Sequence, residues 1–85
     1  MKTKVLFLVN EYEENGDLFA FFPEELYNGY DKDIKVCYSH IGQHSACYDD
    51  YANSSREAKR DEYSGLLYEL TNLIGYDLEV LNNDF

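Results

Sequence analysis

A single leucine-rich stripe near the end of the chain limits the folds that this sequence can adopt. Its members recur at the spacing of one helix face and are Tyr63, Leu66, Leu67, Leu70, Leu73 and Ile74. Asp61 and Glu62 fall where acidic groups stabilise a helix N-terminus, and Gly75 suits a C-terminal cap. We therefore predict one amphipathic helix over residues 59–74. A lone helix of this kind buries its apolar face most economically against a β-sheet.

Apolar runs supply the strands of that sheet. Residues 5–9 form a continuous run, which is typical of a strand buried on both faces. The Asn-Gly pair at 15–16 predicts a two-residue hairpin turn, which would place Val9 opposite Phe22. Pro23 is expected to end the returning strand, because proline cannot donate a ladder hydrogen bond. The predicted strands are residues 4–14, 17–22, 34–40 and 77–82.

Regular patterning fails between the third strand and the helix. Residues 41–58 contain many loop-forming residues, and we predict one long loop there, of the kind that often carries function. The predicted order is three N-terminal strands, this loop, the helix and a C-terminal strand, in a single domain of residues 1–85. The expected fold class is α+β, with the helix packed on one face of a mostly antiparallel sheet. Residues 82–85 are expected to fray.

The charge balance restricts the partners of the chain. Seven Lys and Arg residues stand against seventeen Asp and Glu residues, which gives a formal net charge of −10. Direct binding of nucleic acid and attraction to an anionic membrane both depend on Lys and Arg, so neither is expected. A protein partner with a basic surface fits better. An acidic mimic of nucleic acid, of phage or mobile-element type, is an alternative.

Targeting signals are not expected in this sequence. Its longest apolar runs are too short to span a bilayer. The run at residues 5–9 is also shorter than the roughly seven to fifteen apolar residues of a signal peptide. Two cysteines without such a signal fit a reducing compartment, so we predict a cytoplasmic protein. The sequence leaves the oligomeric state open, and a homodimer is compatible with it.

One short segment has the residue types of a metal site. Cys37, His40, His44 and Cys47 are side chains that zinc prefers. Their spacing matches no familiar zinc finger or ribbon, and in a strand Cys37 and His40 would point to opposite faces. No cofactor is therefore expected. A zinc-binding domain that uses these four residues is kept as an alternative.

The catalytic arrangement that we consider from the sequence is a thiol nucleophile with a histidine base. It would use Cys47 with His44 as its base. Activation of a thiol requires a lowered pKa, usually from positive neighbours, whereas Asp49 and Asp50 would raise it. No catalytic residue is assigned, and an enzymatic role is not expected. Cys37 lies in an apolar strand and is expected in the core.

Three stretches of the chain form a distinctive pattern. They are Phe21-Phe22-Pro23-Glu24, then Cys37-Tyr38-Ser39-His40-Ile41-Gly42-Gln43-His44-Ser45-Ala46-Cys47, then Asp61-Glu62-Tyr63. Together they resemble a group of short bacterial proteins from chromosomes, plasmids and prophages, most specifically over residues 38–47. The resemblance implies a bacterial cytoplasmic setting. It carries over no activity, cofactor, partner or catalytic residue.

The function that the sequence favours is a non-enzymatic binding or regulatory module acting through protein–protein contacts. Nine tyrosines support this prediction, because tyrosine is enriched at interfaces. The candidate surface anchors among them are Tyr27, Tyr30, Tyr48 and Tyr51. The candidate binding residues on the predicted loop surface are Tyr38, His40, Gln43, His44, Ser45 and Cys47.

Overall fold

The chain folds into a β-sheet with one main helix. The computed structural model describes residues 2–10, 17–39 and 43–83. In chain order its elements are β1 (Thr3–Asn10), β2 (Asp17–Leu26), β3 (Ile34–Ser39), β4 (Gln43–Tyr48), α1 (Asp49–Asn53), β5 (Arg56–Glu57), α2 (Arg60–Tyr68), a π-helical segment (Glu69–Ile74) and β6 (Leu78–Val80). The predicted α+β class is confirmed.

In the described part of the chain the sheet has six strands in the order β4-β3-β2-β1-β5, and β6 also pairs with β1. β6 runs parallel to β1, and the other described pairs are antiparallel. The apolar run of β1 is buried on both faces, as predicted: Val5 and Phe7 are 0% exposed, Leu8 is 3% and Val9 is 6%. That double burial explains why β1 lies inside the sheet rather than at its edge.

Alternating side chains divide the core into two clusters. The cluster beneath α2 contains Val5, Phe7, Val9, Ala20, Phe22, Tyr38, Ala58, Tyr63, Leu66 and Leu70. The cluster on the opposite face, beside α1, contains Leu8, Phe19, Phe21, Cys37, Cys47 and Ala52. The helix stripe meets the sheet as predicted, since the Tyr63 ring stacks on Phe7 with centroids 4.5 Å apart. Cys37 lies in the core, also as predicted.

The far side of β1 is completed by two short strands and one side chain. β6 pairs with residues 3–5 of β1, and β5 pairs with residues 8–9. Between them the Asn82 amide accepts the Phe7 N–H at 2.8 Å and donates to the Phe7 carbonyl at 2.8 Å and the Ala58 carbonyl at 2.9 Å. Asn82 was expected in a frayed end, but it instead takes the place of a main-chain partner for β1.

The register of the first hairpin differs from the prediction. Val9 lies opposite Leu18 instead of Phe22, and Asn10 lies opposite Asp17. The partner of Val9 thus moves by four positions, an even number, so both registers leave the same side chains on each face. Residues 11–16, which include the predicted end of the first strand and the Asn-Gly turn, lie outside the described residues.

The second strand does not end at Pro23. β2 continues to Leu26, and its pairing with β3 shifts between Phe22 and Leu26. Pro23 lies within this irregular stretch, where a missing N–H is tolerated, so it interrupts the ladder without ending the strand. The third and last predicted strands are confirmed as β3 and β6.

The predicted loop over residues 41–58 is wrong. β4, α1 and β5 all lie within that range, and only His40 and residues 41–42 nearby fall outside the described part of the chain. Among the described side chains of β4, Cys47 alone is buried. An edge strand packed on one face needs little apolar patterning, so its periodic signal is weak.

The predicted helix is confirmed from Arg60 onward, but its last turns are π-helical over Glu69–Ile74. Leu73 is 72% exposed and Ile74 is 45% exposed, so their predicted place in the buried stripe is wrong. A π-helical turn contains more residues than an α-helical one, which rotates these side chains away from the sheet. Gly75 then ends the helix with a φ of 102°, in the left-handed region that favours glycine.

Candidate functional site

The predicted binding residues lie on two strands instead of one loop. The described ones are Tyr38 in β3 and Gln43, His44, Ser45 and Cys47 in β4. His40 and the side chain of Gln43 lie outside the described part of the structure. Because strand side chains alternate, His44 points to the α2 face, whereas Ser45 and Cys47 point to the α1 face. The predicted site is therefore split between the two faces of the sheet.

On the α2 face, His44 belongs to a small aromatic cluster. Its Nε2 lies 3.0 Å from the Tyr76 hydroxyl, and its ring meets the Tyr38 ring edge-on at 4.9 Å between centroids. The Tyr38 hydroxyl donates to the Glu69 carboxylate of the π-helical segment. Burial, together with the charge of Glu25, raises the pKa of Tyr76. These contacts attach β4 to the segments that cover the sheet.

On the α1 face, a cleft of about 270 Å³ opens beside β4. Its lining combines aromatic rings, hydroxyls and two thiols, and consists of Phe19, Cys37, Ser39, Ser45, Ala46, Cys47, Tyr48 and Tyr51. The Tyr51 ring of α1 packs against Phe19 of β2 with centroids 5.3 Å apart. The volume is slightly below the roughly 300–1,000 Å³ of typical small-molecule sites. A cleft of this size has room for one or two side chains.

The two thiols in this cleft are buried. Neither forms a disulfide with another described residue. Cys37 Sγ lies 3.1 Å from Ser45 Oγ, and Cys47 Sγ donates to the Tyr48 carbonyl at 3.6 Å. A hydrogen bond with Cys37, burial, and the charges of Cys37 and Asp49 all raise the pKa of Cys47. The thiol of Cys47 therefore stays neutral, without the lowered pKa that a nucleophile needs.

The described strands do not bring together the residues that the sequence offered as a catalytic pair or as zinc ligands. His44 and Cys47 lie on opposite faces of β4, so the imidazole is not placed to take a proton from the thiol. For the same reason, His44 does not converge with Cys37 and Cys47 on one point. Within residues 2–10, 17–39 and 43–83, no group of three His, Cys, Asp or Glu side chains is arranged to hold a metal ion.

Carboxylates gather where β4 leads into α1. An open pocket of about 280 Å³ there is lined by Asp31, Asp33, Tyr48, Asp49 and Asp50. Lys35 Nζ lies 3.0 Å from both carboxylate oxygens of Asp49 and balances that charge. Asp33 and Asp50 are exposed. This end of β4 therefore presents negative charge to solvent.

The main-chain N–H and C=O groups of β4 point alternately toward β3 and away from the sheet. The β3–β4 register pairs Cys37 with Ser45, and the Asp49 N–H continues it by donating to the Asp33 carbonyl at 3.0 Å. In an antiparallel pair, every second residue directs both of its main-chain groups at the partner strand. The odd-numbered residues of β4 therefore bond to β3. The groups that face away, toward a side with no described strand, are the N–H and C=O of His44 and Ala46 and the N–H of Tyr48. The Tyr48 carbonyl is instead turned into the start of α1, since Tyr48 is the N-cap of that helix.

We call this row of outward main-chain groups the β4 edge. The sequence pointed to part of it, because Tyr48 was a candidate anchor and is 62% exposed. It did not point to Ala46 or to Phe19 in the cleft. Ala46 contributes only its main-chain N–H and C=O. Every residue except proline carries both groups, so the amino-acid type at position 46 does not indicate this role.

Comparisons with protein-family models, with curated proteins and with solved structures found no match for this chain. None of the helices in the described ranges is long and apolar enough to cross a membrane. A functional conclusion therefore depends on the geometry around β4.

Proposed function

We propose that this chain is a non-enzymatic binding or regulatory module that contacts a partner protein along the β4 edge and the surfaces beside it. The observation that carries the proposal is the position of that edge. Its outward main-chain groups lie between a partly apolar cleft and a group of carboxylates. Protein interfaces combine an apolar centre with a polar rim in the same way.

Exposed tyrosines near one end of the β4 edge support the proposal. Tyr48 is 62% exposed and lies opposite Ile34 in the ladder. The Tyr27 N–H donates to the Ile34 carbonyl, which brings the segment with Tyr27 (54% exposed) and Tyr30 (81% exposed) to the same end of the sheet. Tyrosine offers a large contact area and loses little side-chain entropy when it is fixed in an interface.

The state of the thiols favours binding over thiol catalysis. Cys47 is 4% exposed, its pKa is raised, and it hydrogen-bonds to main chain. A catalytic thiol requires the opposite environment, with a lowered pKa and access to substrate. Both cysteines fit a role as apolar lining of the cleft.

The charge of the chain points to the kind of partner. The formal net charge is −10, and Asp33 and Asp50 present carboxylates beside the β4 edge. Such a surface speeds association with a basic surface and repels an acidic one. The partner is therefore a protein with Lys and Arg at the contact.

Affinity capture from a bacterial lysate tests this proposal. The immobilised wild-type chain is compared with Asp33→Asn/Asp50→Asn, which neutralises the exposed acids beside β4. Asp77→Asn/Glu79→Gln is the matched control, because it removes the same charge at exposed positions on the β6 side of the sheet.

We expect wild type and control to retain the same protein at low salt and the β4-side variant to retain several-fold less. High salt should release the retained protein, since exposed charges are screened. Equal retention by all three chains, or no enrichment above an empty support at either salt, would contradict the proposal.

A further inference from the structure

We infer that the β4 edge takes up an extended, basic segment of another protein as an added strand of the sheet. This inference rests on the proposed function and adds to it the mode of contact and the chemistry of the partner. Main-chain hydrogen bonds to an exposed edge provide affinity in such complexes, and side-chain pockets at alternate positions provide selectivity.

The geometry of β4 provides both parts. His44 and Ala46 each direct an N–H and a C=O outward, and Tyr48 directs its N–H outward. Residues two apart in a strand are separated by about 6.6 Å. The hydrogen-bonding groups on one side of any extended strand recur at the same two-residue distance, so a second strand can pair with this row. The cleft of about 270 Å³ opens on one face of the same strand, where every second side chain of an added segment would lie.

The composition of β4 leaves the edge unblocked. Natural edge strands are commonly protected by lysine, by proline or by being very short. β4 has six residues, and the sequence from Gln43 to Tyr48 contains no proline and no Lys, Arg, Asp or Glu. Ala46 is small and exposed at its middle, so a second main chain can approach closely.

Charge decides between another protein and a second copy of this chain. Two copies would bring together chains with a formal charge of −10 each, and such self-repulsion opposes association. A segment with Lys or Arg at the end that meets Asp33 and Asp50 gains attraction instead. The occupant is therefore a basic extended segment of a different protein.

The experiment selects binders from a displayed library of random eight-residue peptides on the immobilised wild-type chain. We expect enriched peptides to carry β-branched or aromatic residues at every second position and Lys or Arg near one end. The strongest peptide is then synthesised, and its dissociation constant is measured with wild type, Ala46→Pro and Ala46→Ser.

Ala46→Pro removes one outward N–H and should weaken binding about tenfold or more, because a main-chain bond is lost and the ring obstructs the added strand. Ala46→Ser keeps that N–H and should stay within about twofold of wild type. Because the proline variant could also disturb folding, single N-methylation along the peptide provides a second test on the unaltered protein. Methylation should weaken binding at every second position only, since alternate N–H groups face β4.

Several results would overturn the inference. No enriched peptide, equal binding by Ala46→Pro, or a methylation profile without a two-residue period would each do so. Wild type sedimenting as a dimer that Ala46→Pro converts to monomer would show that a second copy occupies the edge. If Asp33→Asn/Asp50→Asn weakens binding while Ala46→Pro and methylation do not, the inference fails but the proposed function stands. If neither peptides nor lysate proteins bind, both fail.

Discussion

The two sides of this sheet end in opposite ways. On the β1 side, the outer strands β5 and β6 have two and three residues, they carry Arg56, Glu57 and Glu79, and Asn82 fills the gap between them. On the β4 side, one six-residue strand without Lys, Arg, Asp or Glu leaves alternate main-chain groups facing outward. Short charged strands and satisfied hydrogen bonds resist pairing with other chains, whereas a longer uncharged edge permits it.

The main-chain groups on the two sides of the sheet differ in whether they have partners inside the protein. The main chain of β1 is fully buried at Phe7, so each of its polar groups must find an internal partner or cost stability. The outward groups of β4 can bond to water, so they cost little in the isolated protein and stay available for a partner. Changes on the β1 side should therefore alter stability, and changes on the β4 edge should alter binding.

The largest expected effect is that of Asn82→Ala. This change removes the side-chain partner of the Phe7 N–H and of the Ala58 carbonyl, both in buried residues, whereas the Phe7 carbonyl keeps its hydrogen bond from the Ala58 N–H. It should lower the free energy of unfolding by about 2–4 kcal/mol. Denaturant unfolding measures the loss. Asn83→Ala is the control, because the Asn83 contact to Glu57 uses the main-chain N–H, and it should stay within about 0.5 kcal/mol. A loss below that level for Asn82→Ala would show that the amide does not complete the β1 ladder.

A smaller effect is expected at the junction of β5 and α2. Hydrogen bonds from the Arg56 guanidinium at 2.9 and 2.7 Å, and from the Lys59 N–H, lower the pKa of Glu62 to about 2 from an ordinary 4.5. A lowered folded-state pKa stabilises the protein above about pH 4.5, and this contribution is lost as the pH falls toward 2. Because Glu62 is exposed to solvent, we expect this contribution to be less than about 1 kcal/mol.

Unfolding free energies between pH 6 and 2.5 test this contribution in wild type and in Glu62→Gln. The variant should lose the part of the acid-dependent slope that belongs to Glu62. Ser64→Ala, an exposed change in the same helix, should keep the full slope. Identical slopes in wild type and Glu62→Gln would mean that this ion pair does not support the β1 side.

The smallest effect on stability should come from Ala46→Lys. Ala46 is exposed, and its main-chain groups point away from β3, so the change should alter the unfolding free energy by no more than about 0.5 kcal/mol. It should nevertheless reduce capture of the partner protein, because a lysine on an edge strand discourages pairing. A loss above about 1 kcal/mol would show that residue 46 is packed and that the two sides do not differ as described.

The strongly patterned parts of the fold were predictable from the sequence. The run at residues 5–9 and the stripe from Tyr63 to Leu70 bury large apolar areas, so β1 and α2 follow from their periodicity. The hairpin register was not predictable in this way, because a shift of four residues keeps every side chain on its face. The local Asn-Gly signal then favoured the wrong alternative.

The candidate site was harder to predict, since its main elements lack apolar patterning. β4 contributes one buried side chain among those described, Cys47, and its outward groups belong to the main chain. The sequence drew attention to the segment from Tyr38 to Cys47. As a loop, that segment would have presented His44 and Cys47 together, whereas a strand separates them onto two faces.

Amide hydrogen exchange along β4, measured by NMR on the isolated protein, tests whether the outer side of this strand is unpaired. We expect alternation: the amides of Ser45 and Cys47 exchange slowly because they bond to β3, and those of His44 and Ala46 exchange rapidly because they face solvent. Uniformly slow exchange from residue 44 to residue 47 would mean that the outer side of β4 is already paired, and the contrast between the two sides of the sheet would then not exist.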